Sequence, residues 1–205
     1  MNRTTQNHWD TVYKTKNPGQ LSWTQQIPKT SLDFIHSFGL TKTAKIIDIG
    51  GGDSKLVDYL LDEGFQNITV LDISAQALEK AKQRLGDRAG KINWIVSDIT
   101  EFQPNTTFDV WHDRATFHFL TTSDQIAKYI DTARNSVTGF LTIGTFSENG
   151  PEKCSGLPIR QYTDEKLITE FQNGFDKIKC VKEDHKTPFD TIQNFLFCSF
   201  KRNLN

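Results

Sequence analysis

The chain has 205 residues, of which 36% are hydrophobic and 24% are charged, and this composition is typical of a folded globular protein rather than a disordered or fibrous one. Lys and Arg number 24 and Asp and Glu number 25, so the net charge of -1 disfavours binding to nucleic acid or an anionic membrane through overall charge. No apolar run is long enough to span a bilayer, and residues 1–8 lack the apolar core of a signal peptide.

The three cysteines, Cys154, Cys180 and Cys198, are odd in number and widely spaced. This pattern favours reduced thiols in a cytoplasmic protein over a disulfide framework, and without a CxxC pair it predicts no metal site.

Short apolar runs alternate with helical periods along the chain. Strands are predicted at residues 44–50, 67–72, 91–96, 108–112 and 140–144. Helices are predicted at residues 53–63 and 74–85, from the capping box at 122–125, and from about residue 163. This alternation predicts a doubly wound α/β fold with a mainly parallel sheet.

Two late β-rich segments, 177–181 and 195–200, are separated only by a loop and predict an antiparallel hairpin at the C-terminal edge. With them the sheet has seven strands. No repeat or long linker divides the chain, so residues 1–205 are predicted to form one domain. Residues 1–43 are expected to form one or two helices that cover the carboxyl edge of the sheet.

The turn after the first strand reads Asp48-Ile49-Gly50-Gly51-Gly52-Asp53-Ser54. Ligands of open α/β sheets bind at this edge, and consecutive glycines let a ligand approach the backbone closely. The dinucleotide fingerprint GxGxxG fails because Lys55 stands at the third glycine position, and no GK[ST] of a P-loop follows.

Two further carboxylates lie where the next strands end. Asp72 ends the second strand and is placed to accept hydrogen bonds from both hydroxyls of a ribose, whereas Asp98 ends the third strand and is placed to accept from an adenine amine. The set predicts a nucleoside with free ribose hydroxyls and no pyrophosphate. The alternative is a doubly wound protein that binds another nucleotide or none.

Over about residues 44–145, this pattern resembles the class I S-adenosylmethionine-dependent methyltransferases. That family has an acidic-x-Gly-x-Gly turn after strand one, matched by Asp48, Gly50 and Gly52, and acidic residues after strands two and three, matched by Asp72 and Asp98. Two departures remove no ligand group: Ser54 replaces a third glycine, and residues 137–139 replace a Pro-Gly-Gly turn. The resemblance implies a Rossmann-like methyltransferase fold, with S-adenosyl-L-methionine as cofactor and S-adenosyl-L-homocysteine as product.

The resemblance also implies roles for individual residues in cofactor binding. The turn formed by Gly50, Gly51 and Gly52 passes beside the methionine part, and Asp48 helps to hold its ammonium group. Asp72 binds the ribose, and Ile73 covers one face of the adenine. Asp98 accepts from the adenine amine, and the Ile99 N–H reaches a ring nitrogen.

The run from residue 109 to residue 120 and the later hairpin loop hold the candidates for catalysis. Asp113 is a candidate to bind the cofactor ammonium or to accept a proton from the acceptor, and His118 is a candidate general base near neutral pH. His185 is the third candidate. Each has a structural alternative: Asp113 pairs with Arg114, His118 packs beneath the next helix, and His185 is solvated.

Aromatic residues precede the first strand in a pattern that resembles the Trp-x-x-x-Tyr lids of several small methyltransferase groups. Tyr13 and Trp23 are candidates to line the methyl donor because aromatic faces attract a sulfonium cation. The alternative is that they only anchor the N-terminal helices to the sheet. The loop over residues 150–158 is expected to close over the acceptor, with Cys154 in a packing role.

These features favour a methyltransferase that transfers a methyl group to a small-molecule acceptor by in-line displacement, because the chain shows no separate recognition domain. Two alternatives stay open: a protein lysine methyltransferase, which needs an open and preferably acidic groove, and a non-catalytic nucleoside-binding protein. Lack of net positive charge disfavours RNA methylation. The expected location is cytoplasmic, with no membrane or nucleic-acid partner, and the acceptor and the oligomeric state stay open.

Overall fold

The computed structural model of the chain describes residues 3–203. Its helices are α1 (Arg3–Thr15), α2 (Lys29–Ser37), α3 (Leu56–Asp62), α4 (Ala75–Leu85), α5 (Ser123–Ser136) and α6 (Asp164–Phe171). Its strands are β1 (Lys45–Ile49), β2 (Asn67–Asp72), β3 (Ile92–Val96), β4 (Phe108–Arg114), β5 (Val137–Phe146), β6 (Lys153–Cys154), β7 (Leu157–Pro158), β8 (Phe175–Lys186) and β9 (Ile192–Arg202).

The seven-stranded sheet has the order β3-β2-β1-β4-β5-β9-β8. Strands β1 to β5 pair in parallel, and β9 pairs antiparallel with both β5 and β8. The prediction of a mainly parallel seven-stranded sheet with an antiparallel C-terminal hairpin is confirmed. The hairpin strands are longer than predicted, and the short ladder of β6 with β7 lies within the loop after β5.

Apolar side chains fill the space between the sheet and the helices on both faces, as a parallel sheet requires. One core cluster includes Trp111, Tyr129 and Phe171, which come from β4, α5 and α6. The other includes Ile46, Leu60 and Leu78, which come from β1, α3 and α4. The two cores fix the strands so that the carboxyl ends of β1 to β4 meet at one edge.

Side-chain caps begin α4 and α5 where the sequence predicts them. The hydroxyl of Ser74 accepts a hydrogen bond from the Ala77 N–H at 3.1 Å, and Thr122 forms a capping box with Gln125. Helix α3 begins at Leu56 rather than at residue 53, because Asp53 stays in the turn, where Arg84 of α4 forms an ion pair with it.

Helices α1 and α2 precede the first strand, as expected for the N-terminal cover, and Met1 and Asn2 lie outside the described residues. Helix α1 packs against α4 through Asp10, whose carboxylate accepts from the Ser74 hydroxyl at 2.7 Å. No helix within residues 3–203 is long and apolar enough to cross a membrane.

The prediction of three reduced thiols is wrong. The antiparallel register of β8 and β9 places Cys180 opposite Cys198, with 4.1 Å between their Cα atoms, and a disulfide joins them. The two cysteines are 18 residues apart in the sequence, so their pairing cannot be predicted without the register of the hairpin. Cys154 is a buried free thiol, and burial raises its pKa to about 12.

Candidate active site

A cavity of about 790 Å³ lies at the carboxyl ends of β1 to β4. This volume is within the range of about 300–1,000 Å³ that is typical of small-molecule sites. Its walls come from α1 and the segment after it, from the turn after β1, from the ends of β2, β3 and β4, and from the loop after β5.

The glycine turn leaves one wall of the cavity without side chains. Gly50 has a φ of 63°, and a Cβ there would overlap the hydroxyl of Thr116. A Cβ on Gly51 would lie 2.6 Å from Asp48 Oδ2, and one on Gly52 would lie 2.9 Å from the Tyr13 hydroxyl. Bulkier residues would therefore displace the groups that surround the turn.

Asp48 is part of a buried hydrogen-bonded chain. Its Oδ1 lies 2.7 Å from His112 Nδ1, and His112 Nε2 lies 2.8 Å from the Ser31 hydroxyl. Asp48 and His112 both line the cavity. His112 therefore holds one oxygen of Asp48, and the other oxygen stays beside the turn.

Asp72 lies at the end of β2, and its side chain is buried against the turn. Its Oδ1 accepts from the Ser74 N–H at 2.8 Å. Burial raises the pKa of Asp72 to about 7, and repulsion from Asp48 and Asp10 adds to this effect against the opposing hydrogen bonds from backbone N–H groups. A ligand that donates hydroxyl groups to this carboxylate would compensate for the burial of its charge.

The remaining predicted cofactor residues lie along the same rim. Ile73, Asp98 and Ile99 line the cavity where β2 and β3 end. The Thr100 N–H and hydroxyl both donate to Asp98 Oδ1, at 2.9 Å and 2.8 Å, which fixes the carboxylate. The structure thus brings the three acidic side chains of the prediction to one rim beside the glycine turn.

Aromatic rings from the N-terminal segment form the wall opposite the sheet. Tyr13 and Trp23 both line the cavity, with ring centroids 6.3 Å apart. Trp9 packs edge-on against Trp23 at 5.7 Å and against Phe119 at 5.1 Å. Tyr13 and Trp23 also pack in a small core with α4, so cavity lining and anchoring occur together.

The structure corrects the expectation that Asp113 binds the cofactor or acts on the acceptor. Asp113 is fully buried and is not among the residues that line the cavity. Its Oδ1 accepts from the N–H groups of Thr116 and Phe117, and its Oδ2 accepts from the Tyr129 hydroxyl at 2.7 Å. Burial raises its pKa to about 6. Asp113 also does not pair with Arg114, because neighbouring residues of a strand point to opposite faces.

The two histidine candidates also lie away from the cavity walls, which corrects their assignment to catalysis. His118 is fully buried and stacks on Phe146 at 4.6 Å, and burial lowers its pKa to about 3. His185 is buried rather than solvated, and its Nε2 lies 2.7 Å from the Ser22 carbonyl oxygen. Burial lowers the pKa of His185 as well.

Arg114, at the end of β4, lines the cavity on the side of β5. Its Nη1 donates to the Trp23 carbonyl oxygen at 2.9 Å. Its guanidinium carbon lies 4.6 Å from the centre of the Phe195 ring. Cys154, Leu157 and Pro158 of the loop after β5 line the same cavity, where the sequence predicts that the loop lies.

Residues 47–139 match the family of methyltransferase domains. Malonyl-[acyl-carrier protein] O-methyltransferase of Anoxybacillus flavithermus is 36% identical over 104 residues, which are 50% of this chain and 39% of that protein. The eEF1A lysine and N-terminal methyltransferase of Mus musculus is 33% identical over 82 residues, 40% of this chain and 12% of that protein. This chain therefore spans less than half the length of either relative.

Solved structures share the whole fold. The N-methyltransferase NodS of Bradyrhizobium japonicum, in complex with S-adenosyl-L-homocysteine, superposes with a TM-score of 0.72 at 17% identity, over 96% of this chain and 98% of that one. The chain has the Rossmann-like methyltransferase fold, and residues 47–139 match the methyltransferase domain family. EEF1A lysine methyltransferase 2 of Danio rerio is 25% identical over 85% of this chain and 76% of its own.

Sequence reasoning missed two residues of the cavity. His112 and Arg114 belong to the run that was singled out for Asp113, and both face the cavity. The signal that could have found them is the alternation of side chains along β4, which places residues 112 and 114 on one face and residue 113 on the other.

Proposed function

We propose that the protein transfers the methyl group of S-adenosyl-L-methionine to a small-molecule acceptor. The observation that carries the proposal is the rim of three carboxylates, those of Asp48 and Asp72 buried, beside a turn without side chains. Asp72 keeps acceptor capacity for ribose hydroxyls, and Asp98 stands at the next strand end for the adenine amine. The free oxygen of Asp48 suits the ammonium group.

When bound, S-adenosyl-L-methionine supplies a methyl group that its positive sulfur has already activated. The chain then has to align the acceptor and exclude water, and the wall formed by Trp9, Tyr13 and Trp23 serves both needs. Asp113, His118 and His185 lie outside the cavity lining, and both ring nitrogens of His112, which does line it, are in hydrogen bonds with Asp48 and Ser31. This supports an acceptor with a free lone pair at neutral pH rather than one that needs a base.

A small acceptor is favoured over a lysine side chain by the positive charge at one end of the cavity. The guanidinium of Arg114 lies at the end of the cavity away from Asp72 and Asp98. A lysine ammonium group approaching that end would meet a like charge in a region of low dielectric constant. Lysine methylation stays the second candidate because of the similarity to the Danio rerio lysine methyltransferase over most of the chain.

A transfer assay with labelled S-adenosyl-L-methionine tests the proposal on a cell extract split into small-molecule, protein and RNA fractions. We expect label in the small-molecule fraction, lost with Asp72→Asn and retained with Asp62→Asn, an exposed carboxylate that pairs with Arg88. Label in the protein fraction would overturn the acceptor class. No label in any fraction, with S-adenosyl-L-homocysteine still bound, would indicate the non-catalytic nucleoside-binding alternative.

A further inference from the structure

A buried chain of three side chains connects the N-terminal cover to the glycine turn. Asp48 Oδ1 lies 2.7 Å from His112 Nδ1, and His112 Nε2 lies 2.8 Å from the Ser31 hydroxyl. The three residues are each at most 3% exposed. Asp48 and His112 line the cavity, whereas Ser31 does not. The order Asp–His–Ser is that of a hydrolase triad, but a serine outside the cavity lining cannot attack a ligand in the cavity, so the chain has another role.

The fold places these three side chains next to one another. Asp48 and His112 are partners in the parallel register of β1 with β4, so their side chains lie side by side on the same face of the sheet. Ser31 lies on α2, whose Leu32 and Ile35 pack in the same core cluster as apolar residues of β1 and β4. The contact therefore depends on two strands and a helix that are far apart in the sequence.

Hydrogen-bond chemistry gives each member of the chain a defined role. A carboxylate only accepts, so His112 Nδ1 carries a hydrogen and donates it to Asp48. The Ser31 hydroxyl both donates and accepts, so it holds Nε2 whether or not that nitrogen carries a hydrogen. The imidazole ring is thus fixed from both ends, and neither nitrogen is free to take a proton from a methyl acceptor.

The second oxygen of Asp48 is open to a ligand. Oδ2 has no hydrogen-bond partner within residues 3–203, and it is not among the unpartnered polar atoms there that are closed to solvent. A Cβ on Gly51 would lie 2.6 Å from it, so Oδ2 lies directly beside the turn. Asp48 and Asp72 also repel each other at this rim, and the repulsion raises the pKa of Asp72. A cation at Oδ2 would satisfy Asp48 and relieve that repulsion.

We propose that His112, held by Ser31, is a positioning residue that turns Oδ2 of Asp48 toward the ammonium group of the cofactor. The proposal rests on the proposed methyltransferase function and deepens it. Because His112 holds Oδ1, the carboxylate has one orientation, in which Oδ2 is the oxygen beside the turn. Without His112, the buried carboxylate would lose its hydrogen-bond donor and favour its neutral form, which attracts an ammonium group far less.

Calorimetric titration of the full chain with two ligands tests the proposal. One ligand is S-adenosyl-L-homocysteine. The other is its deamino analogue, in which a methylene group replaces the carbon that bears the ammonium group, so that only this group is missing. We expect the wild type to bind S-adenosyl-L-homocysteine roughly tenfold or more tightly than the analogue. His112→Leu should weaken S-adenosyl-L-homocysteine by about the same factor and leave the affinity for the analogue within about threefold of the wild type.

Further variants show whether His112 acts through Asp48. Asp48→Asn should cause the same selective loss, and the double variant Asp48→Asn, His112→Leu should lose little more than Asp48→Asn alone. His112→Asn should recover part of the affinity, because its amide places an N–H near the position of Nδ1. Ser31→Ala should weaken S-adenosyl-L-homocysteine about two- to fivefold. His36→Leu is the matched control and should change neither affinity, because His36 lies on the surface of α2 and pairs with Glu63.

No loss in His112→Leu, or equal losses for the two ligands, would overturn the proposal, because His112 would then not act on the ammonium group. Equal affinities of the wild type for the two ligands would also overturn it. If His112→Leu does not fold, Ser31→Ala takes its place, and an unchanged affinity for S-adenosyl-L-homocysteine or equal losses for both ligands has the same meaning. Failure of the folded wild type to bind either ligand would instead refute the proposed function itself.

Discussion

At the scale of single residues, the carboxylate of Asp72 combines burial with unfilled hydrogen-bonding capacity. Its pKa of about 7 means that it is about half ionised at neutral pH in the protein without ligand. Ribose hydroxyls donate more strongly to the ionised form, so binding and ionisation favour each other.

This coupling predicts that the affinity for S-adenosyl-L-homocysteine rises between pH 6 and pH 8 and then levels off. The ionised fraction of Asp72 increases roughly tenfold over that interval for a pKa of about 7, and this increase sets the upper limit of the effect. Calorimetric titration at pH 6, 7 and 8 measures it. Asp72→Asn should weaken binding by about 10- to 100-fold at pH 8 and remove most of the pH dependence. Equal wild-type affinities at pH 6 and pH 8 would contradict the role of Asp72.

Asp113 is the second residue at this scale, and we expect it to contribute to the stability of the fold rather than to the reaction. Asp113→Asn would leave the Tyr129 hydroxyl, which already accepts from the Trp111 indole, without an acceptor for its own proton. We expect a loss of about 1–3 kcal/mol in the free energy of unfolding, measured by urea denaturation. The affinity for S-adenosyl-L-homocysteine should stay within threefold of the wild type. A strong loss of affinity in a stable variant would show instead that Asp113 contributes to ligand binding.

Position 50 has no space for a side chain, so it requires glycine. Gly50→Ala places a Cβ on the Thr116 hydroxyl at a positive φ, so strain and overlap together should cost about 2–4 kcal/mol of unfolding free energy. Gly64→Ala is the control, because Gly64 also has a positive φ but has open space around its Cβ position. Urea denaturation should show the larger loss for Gly50→Ala, and equal losses would refute the close contact with Thr116.

At the scale of elements, local patterns predicted β1 to β5, the caps of α4 and α5, and the acidic residues that end β2 and β3. These features are predictable because the burial periods of strands and helices, and the hydrogen bonds of helix caps, depend on residues that are close in the sequence. The direction of Asp113 and the pairing of Cys180 with Cys198 depend on how strands lie in the sheet. The direction of the Asp113 side chain follows from the alternation of side chains along β4. The pairing of the two cysteines follows only from the register of β8 with β9.

The disulfide predicts a redox effect on stability at this scale. Closing a loop of this length lowers the entropy of the unfolded chain and contributes about 3 kcal/mol. Unfolding in urea with and without a phosphine reductant measures it, and the double variant Cys180→Ser, Cys198→Ser should match the reduced wild type. Equal midpoints with and without reductant would show that the bond does not stabilise the fold.

At the scale of the whole molecule, the order of the seven strands creates the site. Because β1 lies between β2 and β4, the glycine turn is flanked by Asp72 on one side and by His112 and Arg114 on the other. Helix α1 supplies the wall opposite the sheet. The sequence predicted the acidic rim from strand ends alone. It did not predict the end of the cavity that Arg114 lines, because the shape of that end depends on contacts between distant segments, such as Arg114 with Trp23.

The central claim is that this rim holds an adenosine that carries a charged sulfur. Calorimetric titration of the wild-type chain with S-adenosyl-L-methionine and S-adenosyl-L-homocysteine tests it most directly. We expect one site per chain for each ligand, weakened by Asp72→Asn and unaffected by Asp62→Asn. No saturable binding of either ligand to the folded wild type, or the same affinity in Asp72→Asn, would contradict the claim.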